Sequence, residues 1–377
     1  MDQVYLDYAA TAPLKPEVAS AMKPFWVKEF GNPASTHAYG RRALAAVDAA
    51  RRDIARVLNC EPHEVIFTGS GTEADNLAIK GVALLHRKGH IITLAIEHKA
   101  VLETCQYLEN LGYKITYIKP GRDGVVDVKQ IVSAISSDTI LVSLMYINNE
   151  IGTVQPIREV GKYIEKINRT RRRQIFFHTD AVQAANLFDL NTKYLHVDML
   201  TISAHKLGGP KGAGILFVKD KVDLVPQLHG GGQERGIRSS TLNVAGVVGL
   251  AKALTLAQKN KTKENNRLRR LQHWLIKELK KIKQVDINGS EKQLSPSHIN
   301  ISIKDHASDE LVMQLDRQNI AVSAASACSA GSIEPSYVLQ AMNLGNGRAS
   351  SSLRVSMGYT TTKTDLMAFL KALKKVL

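Results

Sequence analysis

The chain predicts an α/β fold, a mainly parallel sheet flanked by helices, followed by a smaller α+β unit. Three observations carry this. Short apolar runs alternate with helix-length segments through the first two-thirds of the 377 residues. The rhythm stops at a long helical stretch, roughly residues 244–282. Beyond it, fewer and mixed elements follow. Strand–helix alternation is the mark of parallel sheets, because each crossover between parallel strands needs a dozen or more residues.

The strand candidates are 64–68, 90–95, 114–118, 139–145, 175–178, 199–202 and 214–218, short apolar runs bounded by polar or turn residues. Between them, segments 73–86, 101–110 and 157–167 repeat apolar residues at i, i+3 and i+4, as amphipathic helices do. After the long helix come strands at 298–303 and 353–357 and helices at 308–317 and 363–376. Parallel sheets bind ligands at the carboxyl ends of their strands. The residues that follow each run are therefore the candidate site residues.

Composition narrows the class. Hydrophobic residues are 44% and charged residues 23% of the chain, which excludes disordered and fibrous proteins. No run of 18 uncharged apolar residues exists, so no membrane span is expected. The start, Met1 to Asp7, lacks an apolar signal core, and three cysteines make no disulfide framework; a cytoplasmic location is expected. The formal net charge of +15 is concentrated: residues 252–283 carry +9 and residues 166–173 carry +5. Such segments either solvate a surface or attract an acidic partner. Direct nucleic-acid binding is not expected, because the aromatic platforms of RNA-binding modules are missing from the basic stretches.

Five constellations carry chemistry. Lys206 follows the 199–202 run and precedes the turn Gly208-Gly209-Pro210, where desolvation can lower an amine's pKa for Schiff-base formation; an ordinary exposed lysine is the bland alternative. Asp180 follows the 175–178 run by two residues, where it can hold a pyridinium N–H or cap the next helix. Gly69-Ser70-Gly71-Thr72 opens a helix, and the unpaired N–H groups there suit a phosphate. A plain cap, with Thr72 as cap and Asp75 reaching back, explains the same residues. His98 ends another strand, placed to stack on an aromatic cofactor and shuttle protons, and no second His or Cys lies at metal-ligand spacing. Cys328 sits in the Ser/Ala/Gly-rich stretch 323–334, where small neighbours suit an exposed nucleophilic thiolate. Cys60 and Cys105, in helical apolar contexts, are expected to be buried and inert.

In order and spacing, these segments resemble a cysteine desulfurase of the group I (NifS/IscS-like) branch. The resemblance spans nearly the whole chain: Tyr5 to Thr11, Gly31 to His37, Glu97-His98-Lys99, Asn148 to Gly152, Asp180 to Gln183, Ser203 to Lys206, Gly230 to Gly236 and Ser326-Ala327-Cys328. It implies a pyridoxal-phosphate enzyme of fold type I, with Lys206 carrying the cofactor, Asp180 on the pyridine nitrogen, Gln183 on the ring oxygen and His98 stacked on the ring. Gly71, Thr72, Ser203 and His205 would hold the phosphate, and Thr241 would reach it from a second copy in a homodimer. Arg354 would clamp the substrate carboxylate, with Asn149 and Asn32. Cys328 would take sulfur from L-cysteine as a persulfide, leaving L-alanine. It would pass the sulfur to an acceptor protein in iron–sulfur cluster assembly or tRNA thiolation. A selenocysteine lyase or an aminotransferase would share the cofactor site. The implied division is an N-terminal segment 1–14 packing with the small domain, a large domain 15–257, and a small domain 258–377 carrying the cysteine loop. The chain departs from the family pattern at Ser350, where a histidine is usual, and at Ser240 and Asn243, where glycine and proline are commoner.

Overall fold

The structure is a computed structural model and describes residues 3–324 and 335–377. The chain opens with a two-residue strand, β1 (Val4–Tyr5). Seven strands then form the large sheet: β2 (Val65–Thr68), β3 (His90–Leu94), β4 (Lys114–Ile118), β5 (Thr139–Met145), β6 (Phe176–Asp180), β7 (Met199–Ser203) and β8 (Gly214–Val218). Their spatial order is β2-β8-β7-β6-β5-β3-β4, and β8 alone runs against the other six. All seven predicted strands are present, with ends shifted by one or two residues.

Alternation along the strands explains why helices cover both faces. Phe67, Ile92, Val142, Phe177 and Ile202 point to one face, against helices Ala38–Leu58, Ile157–Asn168 and Val244–Leu279. Ile66, Ile91, Leu141, Met199 and Leu216 point to the other, against helices Gly71–Ala83 and Lys99–Asn110. Strands buried on both faces read as continuous apolar runs, which is why they stood out in the sequence.

Helix Ala38–Leu58 was not foreseen. Its buried face is mostly small (Gly40, Ala43, Val47, Ala50, Ile54, Leu58), and its mean hydropathy is low. Asn59, at φ 55°, ends it in a left-handed cap. Cys60 therefore follows a helix rather than lying in one.

The second layer is an antiparallel sheet in the order β12-β13-β10-β9. Its strands are β9 (Val285–Asn288), β10 (His298–Ile303), β12 (Ser323–Ala324) and β13 (Ser352–Ser356), and β11 (Ile320–Ala321) pairs with β1 in parallel. Helices Ser308–Asp316 and Lys363–Val376 pack on it through Leu311, Leu315, Phe369 and Leu373, joined by Leu6 of the N-terminal segment. The 36-residue helix Val244–Leu279 bridges both cores: Leu250 and Leu254 enter the first, and Leu268, Leu275 and Leu279 the second.

Part of the 166–173 charge has an internal use. Arg171 donates to the carbonyls of Ser136, Ser137 and Thr139, and Arg173 to that of Lys88. Both tie loops at the amino-terminal edge of the sheet, opposite the strand ends that carry the candidate residues.

Candidate active site

Four residues or turns sit at or just after strand ends: the Gly69–Thr72 turn, Asp180, Lys206 and His98. β2 runs into Gly69 and helix Gly71–Ala83. Ser70, not Thr72, caps that helix, its hydroxyl accepting from the Glu73 N–H at 3.1 Å. Thr72 is left exposed in the first turn, where backbone N–H groups have no intrahelical partner. A Cβ on Gly71 would meet Val182 Cγ2 at 3.0 Å and the Ser203 Cβ at 3.4 Å. Gly71 thus lets the helix start close against the ends of β6 and β7, making a cradle of Gly71, Thr72 and Ser203 at a positive helix end.

Lys206 closes the short 3₁₀ turn Ala204–Lys206 after β7. Its ammonium donates to the carbonyls of Ala9 at 2.6 Å and Ala10 at 2.5 Å. Gln183 also donates to Ala9, and Asn186 donates to the Lys206 carbonyl at 2.6 Å. The His205 ring meets the Thr11 hydroxyl at 3.2 Å, and burial pushes its pKa down to about 4, so it is neutral. The N-terminal segment therefore floors the lysine. Close contact of Gly358 with the Tyr8 ring, where no Cβ would fit, fixes the segment in turn.

Asp180 is buried at the end of β6, and its Oδ1 accepts from the Val182 N–H at 2.9 Å. Burial raises its pKa, while His98, the Val182 N–H and Lys206 favour the carboxylate. His98 caps helix Lys99–Asn110, its Nδ1 accepting from the Ala100 N–H. Burial lowers the His98 pKa, with the Asp180 charge opposing that shift and the charges of Lys206 and Arg354 adding to it.

Beneath them lie two buried acids that sequence reasoning did not place. Asp75 points inward rather than back at its helix end, with Oδ1 3.6 Å from His178 Nε2. Burial raises the Asp75 pKa well above the carboxylate range, with the Asp180 charge adding to it, and lowers that of His178 to about 3. The His178 ring is therefore neutral and the contact is not an ion pair; the ring is held by the Ser143 and Thr201 hydroxyls. Glu97 accepts from the Met145 N–H at 2.7 Å and is likewise pushed toward its neutral form by burial. A signal for Asp75 was present: it shares the buried stripe of Ala78, Ile79 and Val82, where a charged residue is out of place.

Arg354, in β13, is 3% exposed. Its guanidinium donates to the Asn149 carbonyl at 3.0 Å and to the Asp7 carboxylate at 2.8 Å. Arg354 Nε and Asn149 Oδ1 are buried without a hydrogen-bond partner among the described residues.

Asn32 and Thr241 are exposed. Together they line a cavity of about 450 Å3 with Leu44, Gln233 and Leu242. The segment bearing Thr241 is pinned by two bidentate ion pairs, Arg51–Glu234 and Arg238–Glu73. Glu234 and Arg235 both take positive φ (47° and 60°) to make this bend. Asn243, where proline is commoner, caps the long helix, and Ser350 back-bonds to the Asn346 carbonyl. Cys328 lies outside the described residues. Burial pushes the Cys60 and Cys105 thiols up to about 12, so neither is a thiolate at neutral pH.

Comparison with known proteins matches this arrangement to one family. The aminotransferase class-V family matches residues 4–369. A cysteine desulfurase IscS of Dictyoglomus turgidum is 45% identical over all of this chain and 94% of its own length. One from Pectobacterium carotovorum is 43% identical over 99% and 92%. Among solved structures, a NifS-like protein superposes with a TM-score of 0.93 at 34% identity, covering 99% of each chain. SspA in complex with cysteine gives 0.81 at 36% identity, covering 94% of this chain and 98% of its own. The family uses pyridoxal phosphate. The residues here fit that group: a lysine just past a strand end, a buried carboxyl two residues from Val182, a largely buried imidazole whose pKa burial lowers, and a Gly71–Ser203 cradle at a helix start. The chain belongs to the class-V aminotransferase family, in its cysteine desulfurase branch.

Proposed function

We propose that this protein removes sulfur from free L-cysteine, releasing L-alanine and carrying the sulfur as a persulfide on Cys328. The observation that supports this most is a buried arginine, Arg354, held by Asp7 and the Asn149 carbonyl, with its Nε and the Asn149 Oδ1 buried and without a hydrogen-bond partner among the described residues.

Bound pyridoxal phosphate supplies an electron sink for negative charge at the substrate Cα. Asp180 would hold the ring nitrogen's proton, favoured as a carboxylate by the Val182 N–H and the charge of Lys206. His98, whose pKa burial lowers, would stack on the ring without adding a positive charge. Gly71, Thr72, Ser203 and His205 hold the phosphate, and Gln183 the ring oxygen. Lys206 binds the cofactor and moves the Cα proton. Arg354 takes the substrate carboxylate, its plane fixed by Asp7 and the Asn149 carbonyl. The Cys328 thiolate attacks the substrate sulfur. A sulfur–sulfur bond forms, the carbon–sulfur bond breaks with its electrons on carbon, and a proton completes alanine. Carbon is reduced and the transferred sulfur oxidised, so no outside redox partner is needed.

We infer a homodimer, because Thr241 and Asn32 are exposed and line a cavity together, where a second copy can reach them. The large unit 15–257 would hold the cofactor. The unit 258–377, packed with the N-terminal segment 1–14, would carry the substrate arginine and Cys328. The sulfur acceptor is an iron–sulfur assembly scaffold or a tRNA-thiolating enzyme. Lys206→Ala and Cys328→Ser test the reading. The first should lose the yellow cofactor absorbance and all alanine release. The second should keep the absorbance and lose the persulfide. Full activity in Lys206→Ala would overturn it.

A further inference from the structure

Both chain ends leading to the Cys328 segment are described, and each is fastened to residues of the substrate side. Upstream, β12 pairs with β13 so that Ser323 faces Arg354 and Ala324 faces Leu353. Cys328 is four residues past Ala324 in the sequence.

Downstream, Ser336 donates from its hydroxyl to Glu150 Oε2 at 2.6 Å and accepts from the Leu339 N–H at 3.2 Å, capping helix Tyr337–Ala341. The Tyr337 hydroxyl donates to the Glu97 carbonyl at 2.7 Å, and Lys99 Nζ lies 5.0 Å from the centre of its ring. Glu97 precedes His98, and Glu150 follows Asn149. The downstream end is thus fixed to the two turns that present the stacking histidine and the substrate asparagine.

The Glu150 carboxyl is placed at a cost. Glu150 is 2% exposed and Ser336 fully buried. Burial pushes the Glu150 pKa up to about 7 against the favourable influence of the Ser336 hydroxyl, Arg354 and Lys99. A carboxyl in such a place is destabilising unless its hydrogen bonds offset the lost hydration. Its main chain is used separately: the N–H donates to Asn148 Oδ1 and the carbonyl accepts from Asn300. Arg354 is held by Asp7 and Asn149, so fixing that guanidinium does not require the Glu150 carboxyl.

We propose that Glu150 and Ser336 form a positioning pair for sulfur transfer, pinning the downstream end of the Cys328 segment to the asparagine turn so that the thiolate is delivered to a substrate held by Arg354 and Asn149. The pair acts through the segment and touches neither substrate nor cofactor. It rests on the desulfurase reading above, and it concerns the attack on sulfur rather than the binding of cysteine.

The test uses the full-length holoenzyme as wild type, Ser336→Ala, Ser336→Thr, Glu150→Ala and the Ser336→Ala/Glu150→Ala double variant. Each is mixed rapidly with L-cysteine. Absorbance of the bound cofactor reports substrate binding, and quenched mass spectrometry reports persulfide on Cys328. In Ser336→Ala the binding signal should stay within about twofold of wild type, while the persulfide rate falls by about tenfold or more, as small misplacements of a reacting group do. Ser336→Thr should restore the rate, and the double variant should be no slower than the slower single one. A wild-type persulfide rate in Ser336→Ala would overturn the proposal. So would equal losses in binding and persulfide formation, which would mark a purely structural role. If Glu150→Ala does not fold, the Ser336 alanine and threonine variants decide the matter alone. A wild type that binds cysteine but forms no persulfide would instead overturn the desulfurase reading itself.

Discussion

The two walls of the site hold their charged groups in different ways. On the large-sheet wall, Asp180 and Ser203 are the last residues of adjacent parallel strands, and Lys206 and His98 lie within four residues of strand ends. Backbone pairing fixes them. On the small-sheet wall, Arg354 sits inside β13 and takes its orientation from single contacts to Asn149 and Asp7, 205 and 347 positions away in sequence. The first wall is held by continuous secondary structure, the second by a few long-range side-chain contacts. The first should therefore govern the chemical step and the second the capture of substrate.

Three variants sharpen or break that contrast. Asp180→Asn keeps the shape and removes the charge. It should lower kcat by about 10² to 10³, the usual loss when a preorganised charge is removed, with KM for cysteine little changed. A loss mainly in KM would blur the two walls into one. Arg354→Lys keeps a charge but loses the planar fork, and should raise KM by about 10- to 100-fold while leaving the resting cofactor absorbance unchanged.

The smallest effect on the reaction comes from Glu150→Gln, whose amide oxygen can still accept from Ser336, and it should appear in stability. The Glu150 pKa is about 7 in the fold against an ordinary 4.5, mainly from burial. Between those values the folded chain holds a proton that the unfolded chain has released, so this group lowers stability as pH rises from 4.5 to 7. The full span is at most about 3 kcal/mol. Glu150→Gln lacks that titration, so its Tm relative to wild type should climb from pH 5 to pH 8 and level off above. A Tm difference that does not vary with pH would show that the carboxyl is not held in this way.

Much of the large-sheet wall was legible in the sequence because its determinants are local. Doubly buried strands are apolar runs, and the residues just after them fall at one sheet edge whatever the rest of the chain does. Helix Ala38–Leu58 was missed because alanine and glycine fill most of its buried face, so hydropathy alone gave little contrast. Ser70 displaced Thr72 as the cap because the helix begins two residues earlier than its apolar pattern suggests.

By itself the sequence determined the alternating architecture, the strand-end placement of Asp180, His98 and Lys206, and the family to which the motifs belong. These follow from periodicity and from residues close together in the chain. Only the tertiary structure decided that Asp75 and Glu97 lie beneath Asp180, that Asp7 and Asn149 orient Arg354, and that Ser336 fastens to Glu150. Each joins segments whose separation in sequence carries no periodic signal. Burial, which sets the protonation of those acids, is a property of the packed chain and not of any stretch of it.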